Sequence, residues 1–164
     1  MKAVRAPLVL VLVLYASSAW AGHAAVASEE LPANDETLTV TKSGPANAGV
    51  FVVTEALATK EAGPRATVRH FGETYAFSPA VFAVQRDQPT LITFRNLQAD
   101  DEHDFMLTDP DGDVLMKTQL PALRDTSYVF TFHKEGIFPF YCTIHQPEMS
   151  GQILVLPAQL APRP

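Results

Sequence analysis

The sequence predicts an all-β fold built as an antiparallel sandwich, and three observations support this prediction. From residue 65 onward, short segments rich in β-branched and aromatic residues recur at close spacing. Turn-forming residues separate these segments, among them Pro89, the Asp-Pro-Asp-Gly sequence at 109–112 and Gly136. The 47% apolar and 18% charged content is that of an ordinary globular protein, so the chain has enough apolar residues for a buried core.

Eight segments are the predicted strands of this sandwich. They cover residues 67–70, 81–85, 90–96, 103–108, 114–117, 128–133, 138–142 and 152–156. We place the start of the domain at residue 65, because Gly63-Pro64 interrupts the chain just before it. We expect the domain to end at residue 157, with residues 158–164 forming a proline-rich tail.

Residues 22–64 are expected to form an N-terminal extension that is partly disordered. Small and polar residues fill its first part, residues 22–36, which ends in a cluster of acidic side chains. Residues 37–41 are expected to form a short strand. Residues 50–60 stay ambiguous between helix and strand, because β-branched residues at the front are followed by helix-forming ones.

Residues 1–21 have the features of a secretory signal peptide. Lys2 and Arg5 give a positive start, residues 7–15 form an apolar run, and Ala19-Trp20-Ala21 is a cleavage sequence. Residues 25–27 offer a second, weaker cleavage sequence. We therefore expect export to the periplasm or an equivalent compartment, with cleavage after Ala21. The apolar run is too short to span a bilayer comfortably, and no later segment approaches the necessary length.

The sequence is acidic, with 12 basic and 18 acidic residues. Cleavage after Ala21 would remove Lys2 and Arg5 and leave a net charge of about −8. This charge argues against nucleic acid or an anionic membrane as a partner and favours a basic protein. We expect the protein to be a monomer.

The single cysteine, Cys142, lies in the aromatic-rich segment 138–151. A lone thiol in an exported protein is a liability unless it is buried or bound to a metal. His145 and Met149 follow on the same loop, and a thiolate, an imidazole and a thioether form a soft ligand set that copper prefers. His103 offers the further imidazole that such a site needs. It shares a strand face with apolar side chains, so we expect it to point inward.

Residues 65–157 resemble the cupredoxin family of blue copper proteins, which includes plastocyanin and amicyanin. The resemblance lies in Phe77-Ser78-Pro79 with Val84, the strand at 90–96, Glu-His-Asp-Phe at 102–105, Phe-x-Lys-x-Gly at 132–136 and the loop at 140–151. It implies a Greek-key β-sandwich of cupredoxin type and a protein that carries single electrons between redox partners. It also implies one type 1 copper ion bound by His103, Cys142, His145 and Met149, with His145 at the surface as the exit for the electron.

The chain departs from the family pattern at two positions. Three residues separate His145 from Met149, where the family commonly has two or four. Asp104 follows the first histidine, where asparagine is frequent. The first departure leaves an alternative open, in which Met149 is a lid residue and a backbone or water oxygen is the fourth ligand. The second could alter the electric field at the thiolate.

Two other functions remain as alternatives to electron transfer. One is a periplasmic copper carrier or copper-stress protein, and the other is a catalytic copper site with an open coordination position. The sequence has none of the His-rich or Met-rich runs that carriers often use, and this favours electron transfer. Carboxylates are dense at residues 100–113, close to His103. They serve either solubility or the docking of a basic redox partner.

Overall fold

The computed structural model describes residues 35–158, and these residues form two β-sheets that face each other. The one helix among them is α1 (Arg65–Phe71). The strands, in chain order, are β1 (Leu38–Thr41), β2 (Ala48–Ala58), β3 (Thr74–Ser78), β4 (Val81–Gln85), β5 (Thr90–Asn96), β6 (His103–Thr108), β7 (Val114–Leu120), β8 (Asp125–Phe132), β9 (Gly136–Tyr141) and β10 (Ser150–Leu156).

Each sheet has five strands, and the chain crosses repeatedly from one sheet to the other. The first sheet has the order β1-β8-β5-β2-β3, and the second has the order β4-β10-β9-β6-β7. Most neighbours are antiparallel, but β2 pairs with β5 and β4 pairs with β10 in parallel. The predicted all-β Greek-key sandwich is therefore confirmed, with two parallel pairings that the sequence did not indicate.

Aromatic side chains fill the space between the sheets. Alternation along β9 buries Phe138 and Phe140 completely while Ile137 stays half exposed. Phe94 of the first sheet meets Phe105 of the second with ring centroids 4.4 Å apart, and Phe77 meets Phe140 at 5.2 Å. Such contacts bury large apolar areas and are the main source of stability in a sandwich. This core ends directly below the end of the molecule where β6 begins and β9 ends.

The sandwich begins before the boundary expected at residue 64. β1 pairs with β8, so the short strand predicted at 37–41 is confirmed. β2 lies between β5 and β3, which settles the ambiguous 50–60 segment as strand. Val52 and Thr54 of β2 are buried. β1 and β2 are therefore strands of the first sheet rather than parts of an appended segment.

The strand predicted at 67–70 is wrong, because these residues belong to α1. The β-branched residues Thr67 and Val68 favoured a strand locally, but no residue of α1 is buried and none pairs with a sheet. Pro64, with its φ of −69°, precedes the helix, and Gly72, with a φ of 81°, follows its last turn. The strand β3, which starts two residues later, was not predicted.

Three of the predicted segments lie wholly or mostly outside the described residues: the signal peptide at 1–21, the lead-in at 22–36 and the tail at 158–164. Within residues 35–158, no helix is long and apolar enough to cross a membrane.

Candidate metal centre

Three of the four predicted ligands meet at one end of the sandwich. His103 is the first residue of β6, Cys142 directly follows β9, and His145 lies three residues further along the loop. His103 Nδ1 lies 3.1 Å from His145 Nδ1. The Cys142 Sγ atom lies 3.9 Å from His103 Nδ1 and 3.6 Å from His145 Nδ1. These three residues could hold a metal ion, and they form the one such group found among the described residues.

The size of this triangle fits a first-row transition metal. A triangle with these three sides has a point about 2.1 Å from every corner, whereas bonds from zinc to imidazole nitrogen and thiolate sulfur are roughly 2.0–2.3 Å. The three donor atoms therefore already surround a space of ionic size. His103 and Cys142 are fully buried, and His145 is half buried, so the space opens toward solvent on the His145 side.

The orientation of His103 is set by Gln98, which follows β5. His103 Nε2 lies 3.0 Å from Gln98 Oε1, an atom that can only accept a hydrogen bond. The proton of neutral His103 is therefore on Nε2, and its Nδ1 lone pair faces His145 and Cys142. Burial and the neighbouring His145 together lower the pKa of His103 to about 4. His103 is thus a neutral donor at physiological pH.

Gln98 is itself held by a buried polar network that reaches back to β2. The amide nitrogen of Gln98 donates to the Thr54 carbonyl at 3.3 Å, which turns its oxygen toward His103. The Thr54 hydroxyl lies 3.0 Å from Asn96 Oδ1, and Asn96 in turn donates to the carbonyls of Asp101 and Leu120, both at 2.9 Å. Partners of this kind usually fix a ligating histidine in its ring orientation and tautomer. No pattern in the sequence indicates this network.

Cys142 is enclosed by backbone donors. The Asp104 N–H donates to the Cys142 sulfur at 3.4 Å, and this hydrogen bond connects β6 to the thiol. Burial raises the pKa of Cys142, and hydrogen bonds from Asp104, Ile144 and His145 partly oppose that effect. The thiol is therefore protonated at neutral pH without a metal. Binding of a metal would displace this proton, as it does at other thiolate sites.

Asp104 is buried, although alternation along β6 places it on the face opposite His103. Its exposure is 1%, and its carboxylate accepts hydrogen bonds from both the N–H and the hydroxyl of Thr143. Lys117 Nζ lies 3.3 Å from the same carboxylate. Thr143, the residue after Cys142, is thereby held to β6 through the Asp104 side chain.

Met149 is fully buried and closes the loop that carries the other donors. Its N–H donates to the His145 carbonyl at 3.0 Å, and its carbonyl accepts from the Cys142 N–H at 2.9 Å. The three residues between His145 and Met149 therefore form a compact turn with Met149 on its inner side. Met149 does not lie at the surface, and both its role as a ligand and the alternative of a lid residue stay predictions.

Tyr75, the second residue of β3, lies against both histidines and was missed in the sequence. Its ring centroid lies 4.9 Å from that of His103 and 4.6 Å from that of His145. Its hydroxyl donates to Asp101 at 2.5 Å, and burial together with this bond raises the pKa of Tyr75. The tyrosine ring covers one side of the histidine pair. Ile144, the apolar loop residue just before His145, is 54% exposed and does not shield the site.

Comparison with known proteins supports the fold. No protein-family model matches the sequence, and no curated protein is significantly similar to it. Among solved structures, auracyanin B superposes with a TM-score of 0.52 at 15% identity, covering 75% of this chain and 100% of the other. A multicopper oxidase superposes with a TM-score of 0.50 at 16% identity, covering 69% of this chain and 45% of the other. Identities this low bear on the fold and leave the chemistry to be argued from the residues.

Proposed function

We propose that this chain, which has the cupredoxin fold, is a mononuclear copper protein that carries single electrons. One copper ion would be held by His103, Cys142 and His145, with Met149 as a weaker axial donor. When bound, copper supplies a one-electron couple between its monovalent and divalent states. The observation that carries the proposal is the triangle of two imidazole nitrogens and one thiol sulfur around a space of ionic size.

The donor set favours copper over zinc and electron transfer over catalysis. A trigonal arrangement of two histidines and one cysteine with a methionine nearby is the combination that copper uses for electron transfer. Structural zinc sites use four strong donors and have little use for a thioether. Tyr75 covers the histidine pair, and Met149 is buried within the loop. We take the cover that Tyr75 gives to both histidines as support for electron transfer over catalysis.

The surroundings of the site support electron transfer because they hold the donors in place. Gln98 orients His103, the Asp104 N–H contacts the Cys142 sulfur, and backbone hydrogen bonds close the loop from Cys142 to Met149. A site that moves little between oxidation states transfers electrons with a small structural cost. His145 is the half-buried ligand, so we assign it as the point where the electron leaves.

The partner and the compartment are part of the proposal. Glu73 and Asp101 both act electrostatically on His145, so the surface by the exit point is negative. A basic redox protein would be attracted to that surface and would meet it faster at low salt. The predicted signal peptide at 1–21 supports export to the periplasm, where a lone cysteine is preserved when a metal holds it.

The visible spectrum of the copper-loaded protein tests the site. We expect an intense thiolate-to-copper band that is lost in Cys142→Ser and strongly altered in His145→Gln. His133→Gln should leave the band unchanged, because His133 directly follows β8 at the end of the sandwich opposite the site. A copper complex without colour, in which Cys142 is still freely alkylated, would show that the assignment is wrong.

Copper retention separates an electron carrier from a metal carrier. If electrons are the cargo, the protein should keep its copper through repeated cycles of oxidation and reduction, even with a chelator for monovalent copper present. Rapid loss of copper to the chelator after reduction would favour the metal-carrier function.

A further inference from the structure

An ion pair between a buried carboxylate and a partly exposed lysine lies near the Cys142 thiol and is not part of the donor set. The Asp104 carboxylate is 1% exposed, and Lys117 Nζ of β7 lies 3.3 Å from it. Lys117 Nζ also donates to the Thr143 hydroxyl at 3.3 Å, and that hydroxyl donates to Asp104. The backbone N–H of Asp104 contacts the Cys142 sulfur. One lysine therefore connects to the thiol through a single residue.

We propose that Lys117 is a positioning residue that sets the reduction potential of the centre through Asp104. This inference rests on the proposed function. Lys117 neutralises the Asp104 charge next to the thiolate, and it holds that carboxylate against Thr143, the residue that follows Cys142. Together these effects keep the Asp104 N–H on the sulfur and prevent a full negative charge from acting on the metal.

The effect of the Lys117 charge depends on the burial of Asp104. A buried carboxylate without a cation is strongly unfavourable, and its field extends further in a low-dielectric interior than it does in water. An uncompensated negative charge stabilises the more positive, oxidised state of a nearby metal centre and thereby lowers its reduction potential. Lys117 is one-third exposed, so it can supply the compensating charge without being desolvated completely.

The hydrogen bonds show why a neutral residue would differ. Asp104 uses one carboxylate oxygen for the Thr143 N–H and the other for the Thr143 hydroxyl and Lys117. An asparagine could accept through only one oxygen, and its amide nitrogen would face the lysine and the hydroxyl. Asp104 and Lys117 therefore act as one unit, in which Lys117 compensates the buried charge of Asp104.

The test compares reduction potentials of copper-loaded variants that keep the thiolate-to-copper band. Lys117→Met should shift the equilibrium toward the oxidised form about tenfold. For a one-electron couple, this shift lowers the reduction potential by about 59 mV. Asp104→Asn, with Lys117 intact, should shift it in the opposite direction. The double variant should lie between the two, near the wild type. Lys117→Arg keeps the charge and should keep the potential.

Lys134→Met is the matched control, because Lys134 lies in the turn between β8 and β9 at the opposite end of the sandwich. It removes the same charge, and the equilibrium between the oxidised and reduced forms should stay within about twofold of the wild-type value.

An unchanged potential in Lys117→Met, with the band present, overturns this inference and leaves the proposed function intact. A wild type without the band overturns both. If Lys117→Met does not bind copper, Asp104→Asn decides: a raised potential supports the inference and an unchanged one overturns it.

Discussion

The low pKa of His103 predicts that the metal-free protein loses stability as the solution becomes mildly acidic. Burial and the neighbouring His145 lower the pKa of His103 to about 4, whereas an unfolded histidine titrates near its ordinary value of 6.5. Between these two values the unfolded chain takes up a proton that the folded chain does not. Acidification through this window therefore favours unfolding, and the full stability contribution is present only above about pH 6.5.

The size of the effect follows from the separation of the two values. Each unit of pKa difference is worth about 1.4 kcal/mol, so His103 should cost about 3 kcal/mol of unfolding free energy by pH 4. That is a large fraction of the stability of an ordinary domain. The pKa of His145 is also lowered by burial, so His145 adds to the loss in the same direction.

Chemical denaturation of the reduced, metal-free protein between pH 7.5 and pH 4 measures this loss. His103→Gln has no proton to gain in that window, so its unfolding free energy should depend much less on pH. The difference between the two pH profiles isolates His103, because all other groups are shared by both proteins. If the two profiles run parallel to within about 1 kcal/mol, the argument that His103 is buried as a neutral donor is wrong.

Two further predictions concern the loop and the strand that follows it. In Gly151→Ala, the new Cβ would lie 2.2 Å from the Ala80 carbonyl oxygen and 2.3 Å from the Phe140 ring, so we expect a loss of about 3 kcal/mol in denaturation experiments. Gly49→Ala, whose Cβ would lie 3.8 Å from its nearest neighbour, is the control, and equal losses in the two variants would contradict the packing argument. If Met149 is the axial donor, Met149→Leu should raise the reduction potential and Met149→Gln should lower it, each by about 59 mV or more in voltammetry. Shifts in stability alone, with the potential unchanged, would identify Met149 as a packing residue.

The parts of the fold that could be predicted are those whose signal is local. Alternation in 103–108 and 138–142 predicted β6 and β9, and the burial of Phe105, Phe138 and Phe140 follows from it. The strand at 90–96 has the same bounds in the structure. The cluster of His103, Cys142 and His145 was predicted from the donor types and their spacing in the sequence, together with the resemblance to the cupredoxin family.

The parts that could not be predicted depend on partners far away in the chain. The pairing of β2 with β5 joins segments on either side of α1, and no pattern in residues 38–58 indicates that they pair with β5. Gln98, Tyr75 and Lys117 reach the site from three different strands or their ends, and each is an ordinary polar or aromatic residue in its local context. The strand wrongly predicted at 67–70 shows the opposite case, in which β-branched residues have no sheet to join.

The pairing of β4 with β10 has a consequence for how the protein is made. Gln152 must register beside Val81 before the second sheet is complete, and β1 must wait for β8 before the first one is. Chains with many distant pairings fold slowly, because the entropy cost of loop closure comes before the stabilising contacts form. The residues that orient and supply the donors extend from Thr54 to Met149, so the finished centre is a late product of folding. A metal ion that arrives earlier would meet His103, Cys142 and His145 as separate side chains, and only the folded protein presents them as a single site.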